Sequence, residues 1–429
     1  MRIEPSGTRL RVAVCLLLAG VAFSSLAGLT GCSRGPGPGG RLLLVGIDSA
    51  DWDVIEPLME QGSMPNLRAL MDRGVSCDLR SLEPKQKSPT IWASIATGKV
   101  PAKHGILSDV DPISRAPMTS NVRSARTFWD IMGGEGASVT VVGWLVSWPA
   151  EEVNGYLVTD YFRFAPKPDR PLPEHLTYPE GLVENVSKKR VVADGITDED
   201  LARLVDFDRA LSPEEAQRLP VKEMFEEMRA INEIEHRADR LRDILAGDFS
   251  FLGVAGHLMD ERPTDLTAVY LRGLDSASHL FWAAAHPGEV GFKVARTDNR
   301  VFGKVVERYY QLADEMLGQL VERMDDNDII VVCSDHGFEG PKPGQRPGGI
   351  NDHGPVGILV AAGGPFRRGA WIDEQTVLDI TPTLLALWGL PVGADMDGSV
   401  IEEAFEPDFL DSQPVTSIET YERTETASR

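Results

Sequence analysis

Positive charge, cysteine and histidine are all scarce in this chain of 429 residues. Lys and Arg total 43 against 65 Asp and Glu, a net charge of −22. Nucleic acid is bound by stripes of Lys and Arg along the phosphate backbone, so this balance excludes a nucleic-acid polymer as partner. Attraction for an anionic substrate must therefore be local, and bound divalent cations would supply it. Four cysteines are too few for a disulfide scaffold. Cys15 falls in an N-terminal leader and Cys32 directly after it, and Cys77 and Cys333 read as two buried thiols, because Cys333 lies in an apolar strand-like run. Eight histidines are present, so any clustering of them carries weight. No internal repeat is visible. The apolar share of 42% is enough for a real core, and the length suits one large α/β domain with an insertion, or two domains.

Long apolar runs are also missing, apart from Val12–Leu29. That run follows Arg9 and Arg11 and ends in Leu29-Thr30-Gly31-Cys32, as in a secretory signal peptide. The tetrad resembles the bacterial lipobox. The resemblance implies removal of residues 1–31, acylation of Cys32 (palmitate-type chains included) and a flexible Gly/Pro tether over 32–40. The mature protein would then be held at a bacterial membrane, the outer membrane facing periplasm or surface. An ordinary signal peptide and an uncleaved membrane anchor are the alternatives.

Arg41-Leu42-Leu43-Leu44-Val45-Gly46-Ile47-Asp48 predicts a buried parallel strand ending in a carboxylate, and Asp328–Asp335 predicts a second one. Open α/β sheets bind ligands at such strand ends. Ser88-Pro89 opens a helix through Thr97-Gly98. A long helix is expected over about 301–324, and a closing helix over 376–390. Residues 41–160 and 263–402 form the expected core. The segment 161–262, rich in Pro and then in charged helical sequence, is read as an inserted, mainly helical cap. The acidic Thr/Ser-rich tail, 403–429, is expected to be disordered.

Metal-ligand side chains stand where this pattern needs them. They are Asp48, Asp275, His279, Asp335, His336 and His353, each at or just past an apolar run or in a Gly-rich turn. Carboxylates and imidazoles are natural zinc ligands, with manganese an alternative. Two divalent ions about 3.5–4 Å apart suit in-line phosphoryl displacement. Lys87-Ser88-Pro89-Thr90 supplies two hydroxyls and one cation. A nucleophile at the helix start would also benefit from unpaired N–H groups.

Taken together, Leu44–Asp48, Lys87–Gly98, Pro101, His104-Gly105-Ile106, Leu274–His279, Ser334–Phe338, Asp352-His353-Gly354 and Asp379–Leu385 resemble the alkaline phosphatase superfamily. Its type I phosphodiesterase/nucleotide pyrophosphatase branch is the most similar, with a likeness to predicted bacterial phosphohydrolases and phosphomutases. The resemblance implies a doubly wound, mostly parallel α/β sheet and two metal ions. Asp275, His279 and His353 would hold one; Asp48, Asp335 and His336 would hold the other, which also contacts Ser88. Ser88 would be the nucleophile, giving a phosphoseryl intermediate, with Thr90 as rival. Lys87 would contact substrate, and Arg272 and Arg346 are further cations near the motifs. The family places Asn after the nucleophile, at the position of Ile91 here, and its nucleophile is usually Thr. The implied activity is cleavage of a small phosphodiester or nucleotide pyrophosphate. A phosphomonoesterase or phosphomutase is the enzymatic alternative, and a metal-binding envelope lipoprotein without turnover the non-enzymatic one.

Overall fold

Apolar alternation on two faces builds one large sheet. The structure, a computed structural model, describes residues 37, 39–111, 114–164, 173–342 and 349–422. The leader, Cys32 and most of the tether lie outside these residues, as does Arg346. Among the described residues no helix is long and apolar enough to cross a membrane.

The strands are β1 (Leu42–Ile47), β2 (Gly74–Arg80), β3 (Val139–Val142), β4 (Gly155–Val158), β5 (Thr177–Tyr178), β6 (Leu266–Leu271), β7 (Ile329–Cys333), β8 (Gly337–Phe338), β9 (His353–Gly354), β10 (Val356–Ala362), β11 (Ala370–Trp371), β12 (Gln375–Thr376), β13 (Val392–Gly393) and β14 (Ser417–Ile418). The main sheet runs β11-β2-β10-β7-β1-β6-β3-β4-β5, with β12 also on β2. From β7 to β4 the neighbours are parallel. β10 is antiparallel to both β7 and β2. β1 therefore sits centrally, with all six residues buried, as a strand covered on both faces should.

Leu43, Val45 and Ile47 face one apolar cluster; Leu42 and Leu44 face the other. The first cluster is closed by helices Trp52–Glu60, Val221–Glu261, Gly273–Ala285 and Val305–Val321. The second is closed by Ser88–Thr97, Phe128–Gly134 and Ile380–Leu387. The inserted segment is mainly helical. Its 41-residue helix continues into the sheet-covering layer, where Phe251, Val254 and Leu258 share a cluster with Val45.

Three expectations need correction. The helix expected over 301–324 is two, Arg296–Phe302 and Val305–Val321, because the chain turns at Gly303-Lys304. The one expected over 376–390 is shorter, a 3-10 turn at Val377–Asp379 leading into Ile380–Leu387. The tail is ordered through residue 422: β14 pairs with β13, Tyr421 is buried, and Glu422 lies 2.7 Å from Nζ of Lys99. Polar composition hid this, because a few aromatic contacts and a nearly buried lysine do the anchoring. Residues 423–429 lie outside the described set. Cys77 and Cys333 are buried and free, as expected.

Candidate active site

The carboxyl ends of β1, β6 and β7 converge, and each delivers an acid. Asp48 follows β1, Asp335 follows β7, and Asp275 lies in the first turn of the helix after β6. All three are buried. β8 and β9 pair as a small ribbon that swings His353 beside His336, with ring centroids 3.6 Å apart. The Ser88–Thr97 helix reaches β1 because Gly46 has no side chain: a Cβ there would lie 2.6 Å from the Trp92 ring. That close approach sets Ser88 over Asp48.

Two sets of ligand atoms result. Asp275 Oδ1, His279 Nε2 and His353 Nε2 form a triangle with sides of 3.2, 3.2 and 3.8 Å. His336 Nε2 lies 3.5 Å from Asp48 Oδ1, 3.3 Å from Asp335 Oδ2 and 3.2 Å from Ser88 Oγ; Ser88 Oγ is 3.5 Å from Asp48 Oδ1. Ligands about 2.0–2.1 Å from a tetrahedral ion are about 3.4 Å apart, so both sets have the spacing of a metal site. Asp48, Asp335 and His336 form one tight group of possible ligands, and His336 also falls within reach of Asp275 and His353.

The protonation pattern points the same way. His336 Nδ1 lies 2.9 Å from the carbonyl of Gly337, which places its proton there and leaves the Nε2 lone pair facing Ser88 and the acids. His279 Nδ1 is 3.0 Å from Asp352 Oδ2, the carboxylate–imidazole pairing that orients metal-ligating histidines. Burial, then the charges of Asp48 and Asp275, pushes Asp335 far above the carboxylate range. Burial and Asp275 also raise Asp48. Burial opposes ionisation of Asp275, yet its hydrogen bond and charge contact with His279 hold it well below the usual range. His279 resists its own burial through Asp275 and Asp352 and rises to about 10. Burial and His336 depress His353 to about 2. Asp335 Oδ2 and His353 Nδ1 are buried and accept or donate no hydrogen bond among the described residues. Three crowded acids with orphaned ligand atoms are a costly arrangement for a bare protein, and two cations would neutralise it.

Several supporting residues escaped the sequence reading. Ser49 adopts φ 66°, and its hydroxyl lies 2.9 Å from Asp275 Oδ1 and 3.1 Å from His336 Nδ1, bridging the two sets. Tyr270, a β6 residue that looks like ordinary core, donates its hydroxyl to Asp48 Oδ2. Asp248 in the 41-residue helix accepts from the N–H groups of Arg272 and Gly273 at 3.0 Å and from the Tyr309 hydroxyl at 3.0 Å. It thereby caps the helix that carries Asp275 and His279. A Cβ on Gly273 would stand 1.7 Å from the Tyr309 hydroxyl oxygen, so only glycine fits there.

Other candidates are placed differently. Thr90 is buried, and its hydroxyl has no hydrogen-bond partner among the described residues, whereas the Ser88 hydroxyl contacts His336 and Asp48. Lys87 lines the cleft, but its ammonium group is 2.7 Å from Asp109. Ile91 packs into the core under the sheet. The N–H groups of Thr90 and Ile91 both donate to the Lys87 carbonyl, so the helix start offers substrate fewer donors than its sequence implied. His104 accepts from the Ile106 N–H and contacts Ser94, a structural role.

The ligand sets open into a cleft of about 450 Å³ whose lining includes Ser88, Asp275, His279 and His353. Arg163, Arg272, Tyr161, Phe164, Leu145 and Met118 also line it.

A central parallel sheet with paired Asp/His clusters at its carboxyl edge is the architecture of the alkaline phosphatase superfamily, whose members use two divalent metals. The chain belongs to the family described as type I phosphodiesterase / nucleotide pyrophosphatase, whose model matches residues 42–374. Membership supports phosphoric ester hydrolysis. No curated protein matches the sequence. Among solved structures, a putative sulfatase from Bacteroides thetaiotaomicron is similar in fold, with TM-score 0.54 and 12% identity over 89% of this chain and 76% of that one. A 2-O GAG sulfatase, BT1596, is similar at TM-score 0.52 and 12% identity, over 85% of this chain and 74% of that one. Murine ectonucleotide pyrophosphatase / phosphodiesterase 5, solved in complex with AMP, aligns at TM-score 0.48 and 13% identity over 86% of this chain and 100% of that one.

Proposed function

We propose that this chain hydrolyses small phosphodiesters or nucleotide pyrophosphates with Ser88 as nucleophile. The observation that carries the reading is the position of the Ser88 hydroxyl, 3.2 Å from His336 Nε2 and 3.5 Å from Asp48 Oδ1. Asp48, Asp335 and His336 would hold one divalent ion beside Ser88; Asp275, His279 and His353 would hold the other. When bound, such ions supply Lewis acidity that lowers the cost of charge on the attacking and leaving oxygens. The Asp/His donor mixture favours zinc, with manganese accepted.

The chain's own residues do the rest. Pro89 and the helix fix the Ser88 backbone, so the hydroxyl is aimed before substrate arrives. Ser88 gives up its hydroxyl proton to solvent as the Oγ–P bond forms, and the P–O bond to the leaving group breaks with its electron pair going to the departing oxygen, which is protonated from water. Water then attacks the phosphoserine, and the P–O bond to Ser88 breaks to restore the hydroxyl. Tyr270 holds Asp48 and Ser49 links Asp275 to His336, which keeps the two halves in register.

The test is turnover of bis(4-nitrophenyl) phosphate and of 4-nitrophenyl phosphate by the metal-loaded full chain. Diester turnover abolished by chelation and by Ser88→Ala supports the reading. Preference for the monoester redirects it to a phosphatase or mutase, and turnover that survives Ser88→Ala defeats it. The membrane anchor is proposed separately, on Leu29-Thr30-Gly31-Cys32 alone; mass spectrometry of the mature N-terminus should find an acylated Cys32, and an unmodified later start rules it out.

A further inference from the structure

We infer that Arg163 and Arg272 form an anion subsite in the cleft wall, and that the substrate presents a second anionic group there, a phosphate or carboxylate. This rests on the phosphohydrolase reading and adds to the phosphoryl group that Ser88 attacks.

Both arginines line the cleft that holds Ser88, Asp275, His279 and His353. Arg163 ends the 3-10 turn after β4, its stem lies against Gly247, and its guanidinium sits 4.5 Å over the Phe164 ring. Arg272 joins β6 to the helix that carries Asp275. Among the described residues neither guanidinium has a hydrogen-bond or ion-pair partner. The contrast with other withdrawn arginines is sharp: Arg41, Arg123, Arg237 and Arg308 each pair with a carboxylate at 2.6–2.8 Å.

Nearby carboxylates act on the two guanidinium groups through charge at a distance, and among the described residues none makes a direct contact with them. Asp160 accepts from the Val146 and Trp148 N–H groups and from Ser147. Asp248 is taken by the Arg272 and Gly273 N–H groups and Tyr309. Asp48 and Asp275, which also face Arg272, belong to the ligand sets. Burial, and then the charge of Arg272, lowers Arg163 to about 10, whereas Arg272 is raised against its own burial by Tyr270, Asp275, Asp48 and Asp248. Two guanidinium groups that line one cleft without a direct partner have donors left for an anion, and the guanidinium fork matches phosphate and carboxylate oxygens. A diester phosphoryl group carries one negative charge, and the ligand sets already serve it. The surplus positive charge fits a second anionic group on the same substrate.

The test titrates methylphosphonate and methylenebisphosphonate calorimetrically into the metal-loaded full chain, with metal content measured before and after. The bisphosphonate should bind about tenfold or more tighter, the scale of one charge-assisted hydrogen bond. Arg163→Gln and Arg272→Gln should each cut that advantage to below about threefold, with Arg163→Lys between them and wild type. Equal affinity of the two ligands for wild type overturns the inference. So does a variant that weakens both ligands alike, since the arginines would then serve the reacting phosphoryl group. If Arg272→Gln does not fold, the Arg163 variants decide. Binding is read without turnover, so failure of the Ser88 mechanism would leave this result standing or falling alone.

Discussion

Ser88 Oγ and His336 Nε2 stand 3.2 Å apart although 248 residues separate them in the chain. Ser88→Ala should therefore lower kcat by about a thousandfold or more, as expected for loss of a nucleophile. Thr90→Val should leave kcat within about threefold and hold or raise Tm, because it removes a buried hydroxyl that has no partner. Steady-state kinetics and thermal melts of both variants check this.

Asp335→Asn should act with opposite sign in two conditions. In chelator, removing one acid from the crowded cluster should stabilise the protein by about 1–3 kcal/mol. In saturating metal it should remove this site's share of the metal-induced rise, about 2.7 kcal/mol at a hundred times its Kd, and leave the share of the other site. Melting curves with and without chelator read both, and the same sign in both would count against a cation at this group.

Asp352 orients His279 from 3.0 Å. Asp352→Asn should weaken one of the two metal ions by about 10–100-fold and leave the other within about threefold. Competition with a graded series of chelators resolves the two steps.

Asp248 gives a pH signature. Burial raises its pKa from 3.8 to about 6. The folded state thus binds a proton that the unfolded state has already lost, so this group's contribution to stability falls as pH rises from about 4 to 6 and is flat above. Across that window the loss amounts to roughly 3 kcal/mol. Asp248→Asn should remove this part of the slope. Urea unfolding of both proteins at pH 4.5 and pH 7 measures it; parallel slopes would show that Asp248 does not titrate there.

The strand-terminal acids were legible because a parallel sheet needs continuous apolar runs, and a charged residue at the end of such a run stands out. Asp48 and Asp335 announce themselves in that way, and the Asp275-x-x-x-His279 spacing puts both side chains on one helix face. Ser49, Tyr270 and Asp248 were not legible. Each looks local in sequence, a serine after an acid, a tyrosine in a strand, an acid in a charged helix. Their roles come from partners more than 20 residues away. The tail was misjudged for the same reason: Lys99 and Glu422 are 323 residues apart, and no window of composition contains both.

The central position of β1 has a kinetic cost. Its partners β6 and β7 begin at Leu266 and Ile329, so this apolar strand is made early and completed only once Cys333 has been added. Such non-local pairing slows folding, and an unpaired apolar strand is a template for association with other chains. An emerging or interrupted chain would carry two sticky open edges and no serine–imidazole pair. A holding chaperone is the expected companion of its synthesis, and shortened products ending before about residue 333 should accumulate as aggregates rather than as partly active protein.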